Sequence, residues 1–249
     1  MAPAPVPQRA PDERRDMHAG GFDLRVSMWH GDDASVAPPL LFLNGIAADN
    51  RLAGALLSRI GGRTRLTIDM PGLGGAPDRL FPYSIADVAA ALTDMMAQLA
   101  HESFDVAGFS WGGAVAQQLA LSFPARVRRM VLIATSPVMP APGLGAAALF
   151  DADVLTSGMR LTGTSLIGVG AQLMAASGWS VVNALPGLSG VPTLVLGASG
   201  DMVVPIAYAQ WLARLIPGAR LEVIDGAHLF AFRQAQKIGP LIRAYLDEA

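Results

Sequence analysis

Asp105-Val106-Ala107-Gly108-Phe109-Ser110-Trp111-Gly112-Gly113-Ala114-Val115-Ala116 joins a short apolar run to a longer one across a serine flanked by glycines. Asp105 to Phe109 has the length and composition of a buried strand, and Trp111 to Phe123 carries an apolar helical pattern. Gly108 to Gly112 between them fits G-x-S-x-G, the spacing that puts a serine on a sharp strand-to-helix turn with its hydroxyl projecting from the sheet. The flanking glycines have a steric cause, since strand and helix approach too closely for a Cβ. In a chain with 27 glycines the five residues alone would carry little weight. The strand before and the helix after give them their meaning.

The same alternation continues outward. Leu24 to Trp29 reads as a strand that can hairpin with the segment before Gly20-Gly21. Pro39 to Leu43, Thr64 to Asp69, Val127 to Ala134, Pro192 to Gly197 and Ala219 to Ile224 are further strands. They read as apolar runs rather than as strict alternation, as buried parallel strands do. Ile85 to Ala100, Ile206 to Ile216 and Phe230 to Leu246 read as helices between them. Short apolar runs alternating with helices predict an α/β fold with a mostly parallel central sheet. The core is expected over 21–137 and 191–249.

Residues 1–20 read as a flexible, proline-rich lead-in. Val138 to Gly190 breaks the rhythm: it holds no strand of the same kind and only three charged residues, Asp151, Asp153 and Arg160. So long a loop without structure is unlike a compact domain. The expectation is a small helical cap over 138–190, inserted after the sixth strand; the alternative is a pair of ordinary crossover helices.

Composition narrows the function classes. The chain is 52% hydrophobic and 15% charged, with a net charge of −2. That supports a large core and offers no basic field for nucleic acid. There are no cysteines, hence no disulfides or thiolate metal sites. No apolar run reaches the length of a membrane span, and the start lacks a signal-peptide core, so the expected location is cytoplasmic.

A serine hydroxyl needs a base. Of four histidines, His18 lies in the lead-in, His30 in a polar turn and His101 at the solvent end of a helix. His228, in Asp225-Gly226-Ala227-His228, follows a strand at the carboxyl edge of the sheet, where open α/β sheets place their sites. The orienting carboxylate is expected between serine and histidine in chain order. Asp201, after the strand Pro192 to Gly197, is preferred on its strand-end position; Asp225 is the rival, reading as a turn residue. The oxyanion donors are expected to be the N–H groups of Trp111, next to the serine, and of Ile46 in Asn44-Gly45-Ile46. A plain turn is the other reading of Asn44-Gly45.

With these residues assembled, the chain from about Leu24 onward resembles the α/β-hydrolase superfamily. Leu40 to Ile46 resembles its oxyanion segment, and Asp69-Met70-Pro71-Gly72-Leu73-Gly74 its D-x-P-G-x-G loop. Gly108 to Gly112 resembles the elbow, Gly200 to Pro205 the acid segment, and Gly226-Ala227-His228 the base segment. Within the superfamily the chain is most similar to intracellular depolymerases of medium-chain-length polyhydroxyalkanoates. The shared features are Asn44-Gly45-Ile46, Ser110 to Ala114 with Gln117-Gln118, Asp225 to Phe230, and Gly178-Trp179-Ser180. Two features depart from that pattern: Ala76 stands where the loop usually has serine, and the insertion is short.

The expected activity is carboxylic ester hydrolysis through an acyl-enzyme: Ser110 as nucleophile, His228 as base, Asp201 orienting it. No cofactor or metal is implied. The apolar insertion suits an aliphatic acyl chain, with Leu149, Met174 and Trp179 as expected substrate contacts. Hydroxyalkanoate esters, as oligomers or polymer, are the first substrate class. A small-ester carboxylesterase or lactonase is the alternative, as is a non-catalytic ligand-binding protein on the same fold.

Overall fold

The computed structural model describes residues 10–31, 37–139 and 164–248. One sheet holds eight strands: β1 Glu13–Ala19, β2 Phe22–Trp29, β3 Leu40–Leu43, β4 Arg65–Asp69, β5 Phe104–Phe109, β6 Val127–Ile133, β7 Thr193–Ala198 and β8 Arg220–Ile224. Their spatial order is β1-β2-β4-β3-β5-β6-β7-β8. β2 runs antiparallel to both β1 and β4, and the other pairings are parallel. The helices among the described residues are α1 Asn50–Ile60, α2 Ile85–Gln98, α3 Trp111–Ser122, α4 Leu166–Ala176, α5 Ile206–Leu215, α6 Phe230–Arg233 and α7 Ala235–Leu246. None is long and apolar enough to cross a membrane.

The inner strands β3 to β7 are largely apolar because they bury both faces. Leu41 and Leu43 of β3 join one core with Val88 and Leu92 of α2, Val115 and Leu119 of α3, and Leu212 of α5. Leu40 and Phe42 point the other way, into a second core with Leu56 and Leu57 of α1, Phe230 of α6, and Ile238 and Ile242 of α7. Alternation along one strand thus serves two helical layers. The crossovers reverse direction once. β3 to β4 steps toward β1, whereas β5, β6, β7 and β8 succeed one another away from it. The reversal leaves a crevice at the carboxyl ends of β3 and β5, the usual ligand position in an open α/β sheet.

Glu13–Ala19 corrects the expectation of a flexible lead-in over 1–20: it is the edge strand β1. Its pattern looks polar because only Met17 and Ala19 turn toward the core, while Arg14, Asp16 and His18 face out. Backbone pairing with β2, Met17 opposite Leu24 and Ala19 opposite Phe22, supplies what composition does not show. Gly20 and Gly21, at φ +55° and +76°, close the hairpin in a two-residue turn that needs left-handed backbone at both positions. The charged outer face protects the sheet edge from a further strand.

After β6 the chain enters the segment that begins at Val138. Its two stems run side by side: the Met139 N–H donates to the Trp179 carbonyl at 2.8 Å, and the Val181 N–H to the Pro137 carbonyl at 3.0 Å. Residues 140–163 lie outside the described residues, and Leu149 with them. Helix α4 returns toward the sheet, and a 3-10 turn at Leu185–Gly190 buries Leu185 and Leu188 in the core beside α3.

Candidate active site

Ser110 occupies the position the sequence predicts, between the end of β5 and the first turn of α3, with φ +52° and ψ −115°. A non-glycine residue there is strained and persists only where its surroundings hold it. The Ser110 N–H donates to the Ile133 carbonyl at 2.9 Å, and the Ser110 carbonyl accepts the Thr135 hydroxyl at 2.7 Å. The glycines have the steric cause inferred from sequence. A Cβ on Gly108 would lie 2.3 Å from the Gly112 carbonyl oxygen, and one on Gly112 would lie 2.2 Å from the Leu43 oxygen. Trp111, as the first residue of α3, has an N–H with no acceptor inside its own helix.

The segment after β3 passes directly over this turn. A Cβ on Gly45 would meet the Phe109 ring at 3.0 Å and the Ser110 Cβ at 3.5 Å. Gly45 to Ala48 forms a tight turn, closed by the Ala48 N–H on the Gly45 carbonyl at 3.2 Å, with Ala47 at φ +59°. Ile46 is the residue before Ala47 in that turn. The Asn44 side-chain amide donates to the Thr67 hydroxyl at 3.2 Å. Asn44, Gly45, Trp111 and Gln172 share the lining of a cavity of about 10 Å³, room for a single water molecule.

Asp201 and His228 come together as predicted. His228 Nδ1 is hydrogen bonded to Asp201 Oδ2 at 2.8 Å, and both side chains are buried. The other carboxylate oxygen of Asp201 accepts the N–H groups of Val203 at 2.9 Å and Val204 at 2.8 Å, so its own loop aims it. Asp225 does not compete: it is exposed and accepts the Ser199 hydroxyl at 3.1 Å. The imidazole packs on the ring of Phe109, the residue before Ser110, with centroids 4.9 Å apart. Phe232 closes the same ring edge-on at 4.9 Å. With Nδ1 tied to a carboxylate, Nε2 is the free ring nitrogen.

The expected substrate contacts fare differently. Met174 is 63% exposed on the outer face of α4. Trp179 is half-buried, and its indole N–H donates to Gln118 Oε1 on α3 at 3.0 Å, which ties the insertion's stem to the elbow helix. The buried face of α4 is made instead of Gly168, Gln172, Ala175 and Ala176. Sequence reasoning passed over Gln172, whose signal is its isolation: it is the one amide or hydroxyl side chain in Leu166–Ala176.

A family model described as the alpha/beta hydrolase fold matches residues 38–162. The chain is 30% identical over 240 residues to a poly(3-hydroxyalkanoate) depolymerase of Ectopseudomonas oleovorans, covering 84% of each chain. It is 29% identical over 232 residues to a pimeloyl-[acyl-carrier protein] methyl ester esterase of Aromatoleum aromaticum, covering 76% of this chain and 89% of that one. Among solved structures, the enol-lactonase of Burkholderia xenovorans LB400 superposes with a TM-score of 0.84 at 21% identity, over 94% of this chain and 100% of the other. By fold, by the matched segment and by these relatives, the chain belongs to the alpha/beta hydrolase family.

Proposed function

We propose that this protein is a serine hydrolase that cleaves carboxylic esters through an acyl-enzyme. Ser110 Oγ attacks the ester carbonyl while His228 Nε2 takes its proton. Asp201 holds the imidazole in the tautomer that can accept there and stabilises the imidazolium that forms. The N–H groups of Ile46 and Trp111 receive the oxyanion; the N–H of the neighbouring Ala47 is already committed to Gln172. The proton then passes to the leaving alcohol, and His228 activates water to release the acid. The observation that carries this reading is the buried His228–Asp201 hydrogen bond of 2.8 Å beside the Phe109 ring, one residue from a serine held at φ +52°.

For substrate we propose medium-chain alkanoate or hydroxyalkanoate esters, including polyhydroxyalkanoate oligomers. The 30% identity to a depolymerase supports that class. The experiment is a rate profile on p-nitrophenyl esters from acetate to laurate, for wild type and Ser110→Ala. We expect a maximum from hexanoate to decanoate, and a loss on the order of a million-fold in the variant. A maximum at acetate or butyrate would keep the chemistry and move the assignment to a small-ester esterase or lactonase. Wild-type inactivity, or activity unchanged in Ser110→Ala, would overturn the ester-hydrolase reading in favour of a binding protein.

A further inference from the structure

Helix α4 meets the crevice through its small residues. Ser165 caps the helix, its hydroxyl accepting the N–H groups of Ile167 at 3.0 Å and Gly168 at 3.2 Å, and its own N–H donates to the Gly72 carbonyl at 2.7 Å. Gly168 then passes so close to the loop after β4 that an added Cβ would stand 2.7 Å from the Pro71 oxygen. Gln172 lies one turn further on the same face. The helix is therefore seated backbone to backbone, and Gln172 is delivered at a fixed depth. Only 1% of Gln172 is exposed, and its Oε1 accepts the Ala47 N–H at 2.9 Å.

The residue it holds is the strained member of the turn. Ala47 has φ +59°, where an L-residue's Cβ crowds the following carbonyl. Turning over the Ile46–Ala47 peptide would return residue 47 to ordinary backbone with little displacement of the flanking Cα atoms, converting one β-turn type into another. That flip would also point the Ile46 carbonyl where the Ala47 N–H now points. Gln172 Oε1 opposes it, because it accepts a hydrogen bond from the amide and would meet an oxygen after the flip. The Ile46 N–H belongs to the preceding peptide, and holding the Ile46–Ala47 peptide fixes it by fixing the turn as a whole, which the Ala48 N–H closes on Gly45 and Gly45 seats against Ser110.

We infer that Gln172 is a positioning residue that locks the Gly45–Ala48 turn in the conformation presenting the Ile46 N–H to the developing oxyanion. Helix α4 therefore sets transition-state stabilisation as well as covering the sheet. This inference rests on the ester-hydrolase reading above. Since the oxyanion exists only beyond the ground state, loss of the lock falls on kcat and leaves KM nearly in place.

The test compares wild type, Gln172→Met, which keeps the length and removes the acceptor, and Gln172→Glu, which keeps an acceptor oxygen at the same reach. Rates on p-nitrophenyl octanoate are taken per active site titrated with a fluorophosphonate, so that misfolded protein does not count. A second readout is inhibition by an alkyl trifluoromethyl ketone, whose carbon bonds to Ser110 Oγ while the serine proton passes to His228 and the ketone oxygen becomes the oxyanion. Removing a whole oxyanion donor costs on the order of 10² to 10³ in kcat, so a loosened donor is expected to cost about tenfold in Gln172→Met. KM should change less than about twofold, and the ketone should bind weaker by the same factor as kcat falls. Gln172→Glu should recover most of both. An unchanged kcat per titrated site in Gln172→Met, or ketone inhibition that does not weaken with kcat, overturns the inference alone. A wild type that hydrolyses no ester overturns the functional reading and this inference with it.

Discussion

Asp69 ends β4 with its carboxylate enclosed. The Asn50 N–H donates to Oδ1 at 2.6 Å, and Gly74 passes so near that a Cβ there would lie 2.1 Å from Oδ2. Burial drives its pKa up to about 7 against the opposing pull of the Asn50 amide, and Asp49 adds to the rise. The unfolded carboxyl ionises near about 3.9. Between those values the folded chain keeps a proton that the unfolded chain has released, so this residue's contribution falls as pH rises and its penalty is complete above about 7. Asp69→Asn retains an acceptor for Asn50 and removes the titration. Its unfolding free energy in urea should exceed wild type's at pH 8 by on the order of a few kcal/mol, and match it near pH 4. An advantage that persists unchanged at pH 4 would show that the effect is packing rather than charge.

At the scale of elements, α2 has the most complete start among the described helices. The Ser84 hydroxyl accepts the Asp87 N–H at 3.1 Å, and the Asp87 carboxylate accepts the Ser84 N–H at 2.8 Å, a reciprocal capping box. Ser84→Ala should lower stability by about 1 kcal/mol, read as a reduced denaturation midpoint with an unchanged m-value. Strands β3 to β8 and helices α2, α3 and α5 were legible in the sequence to within a residue or two, and for β3 to β7 the reason is that burial on both faces writes itself as an apolar run. The site was legible for a related reason: Gly108, Gly112 and Gly45 are glycine because backbone and ring atoms stand where a Cβ would go. What escaped depended on backbone and side-chain contacts that composition does not record. The charged residues of β1 hide a strand that β2 supplies with hydrogen bonds. The expected single helix over Phe230 to Leu246 breaks at Gln234, whose side chain is drawn to the Asp225 carbonyl at 2.6 Å. In α4 the larger apolar residues were expected to face the site, yet Gly168, Gln172, Ala175 and Ala176 form the buried face, since close backbone approach selects small residues inward. A hydrophobic pattern alone cannot register that choice.

Across the whole molecule, the end of the sheet opposite the crevice is fastened by charge. Asp105, fully buried, pairs with Arg63, itself 1% exposed, and with Arg128 at 2.7 Å. Burial outweighs both guanidinium groups and holds the Asp105 carboxyl above its ordinary range. Arg63 also reaches Asp247, Arg128 the Leu246 carbonyl, Arg129 the Glu248 carbonyl at 2.7 Å, and Arg220 the Glu248 side chain. Removing one partner of a buried pair strands the other. Asp105→Ala should therefore cost about 3–5 kcal/mol in chemical unfolding. Asp247→Ala, at a carboxylate 45% exposed, should cost about 1 kcal/mol or less. Equal losses in the two variants would contradict a charge network centred on Asp105. The separation of Arg63 and Asp247 by 184 residues also orders events during translation. β3, β5, β6 and Thr135, which hold Ser110 in its strained turn, have all been synthesised long before Asp247. At ribosomal speed the interval is roughly ten seconds. A nascent chain can thus shape its elbow while the rim beneath it still carries an arginine awaiting its last carboxylate.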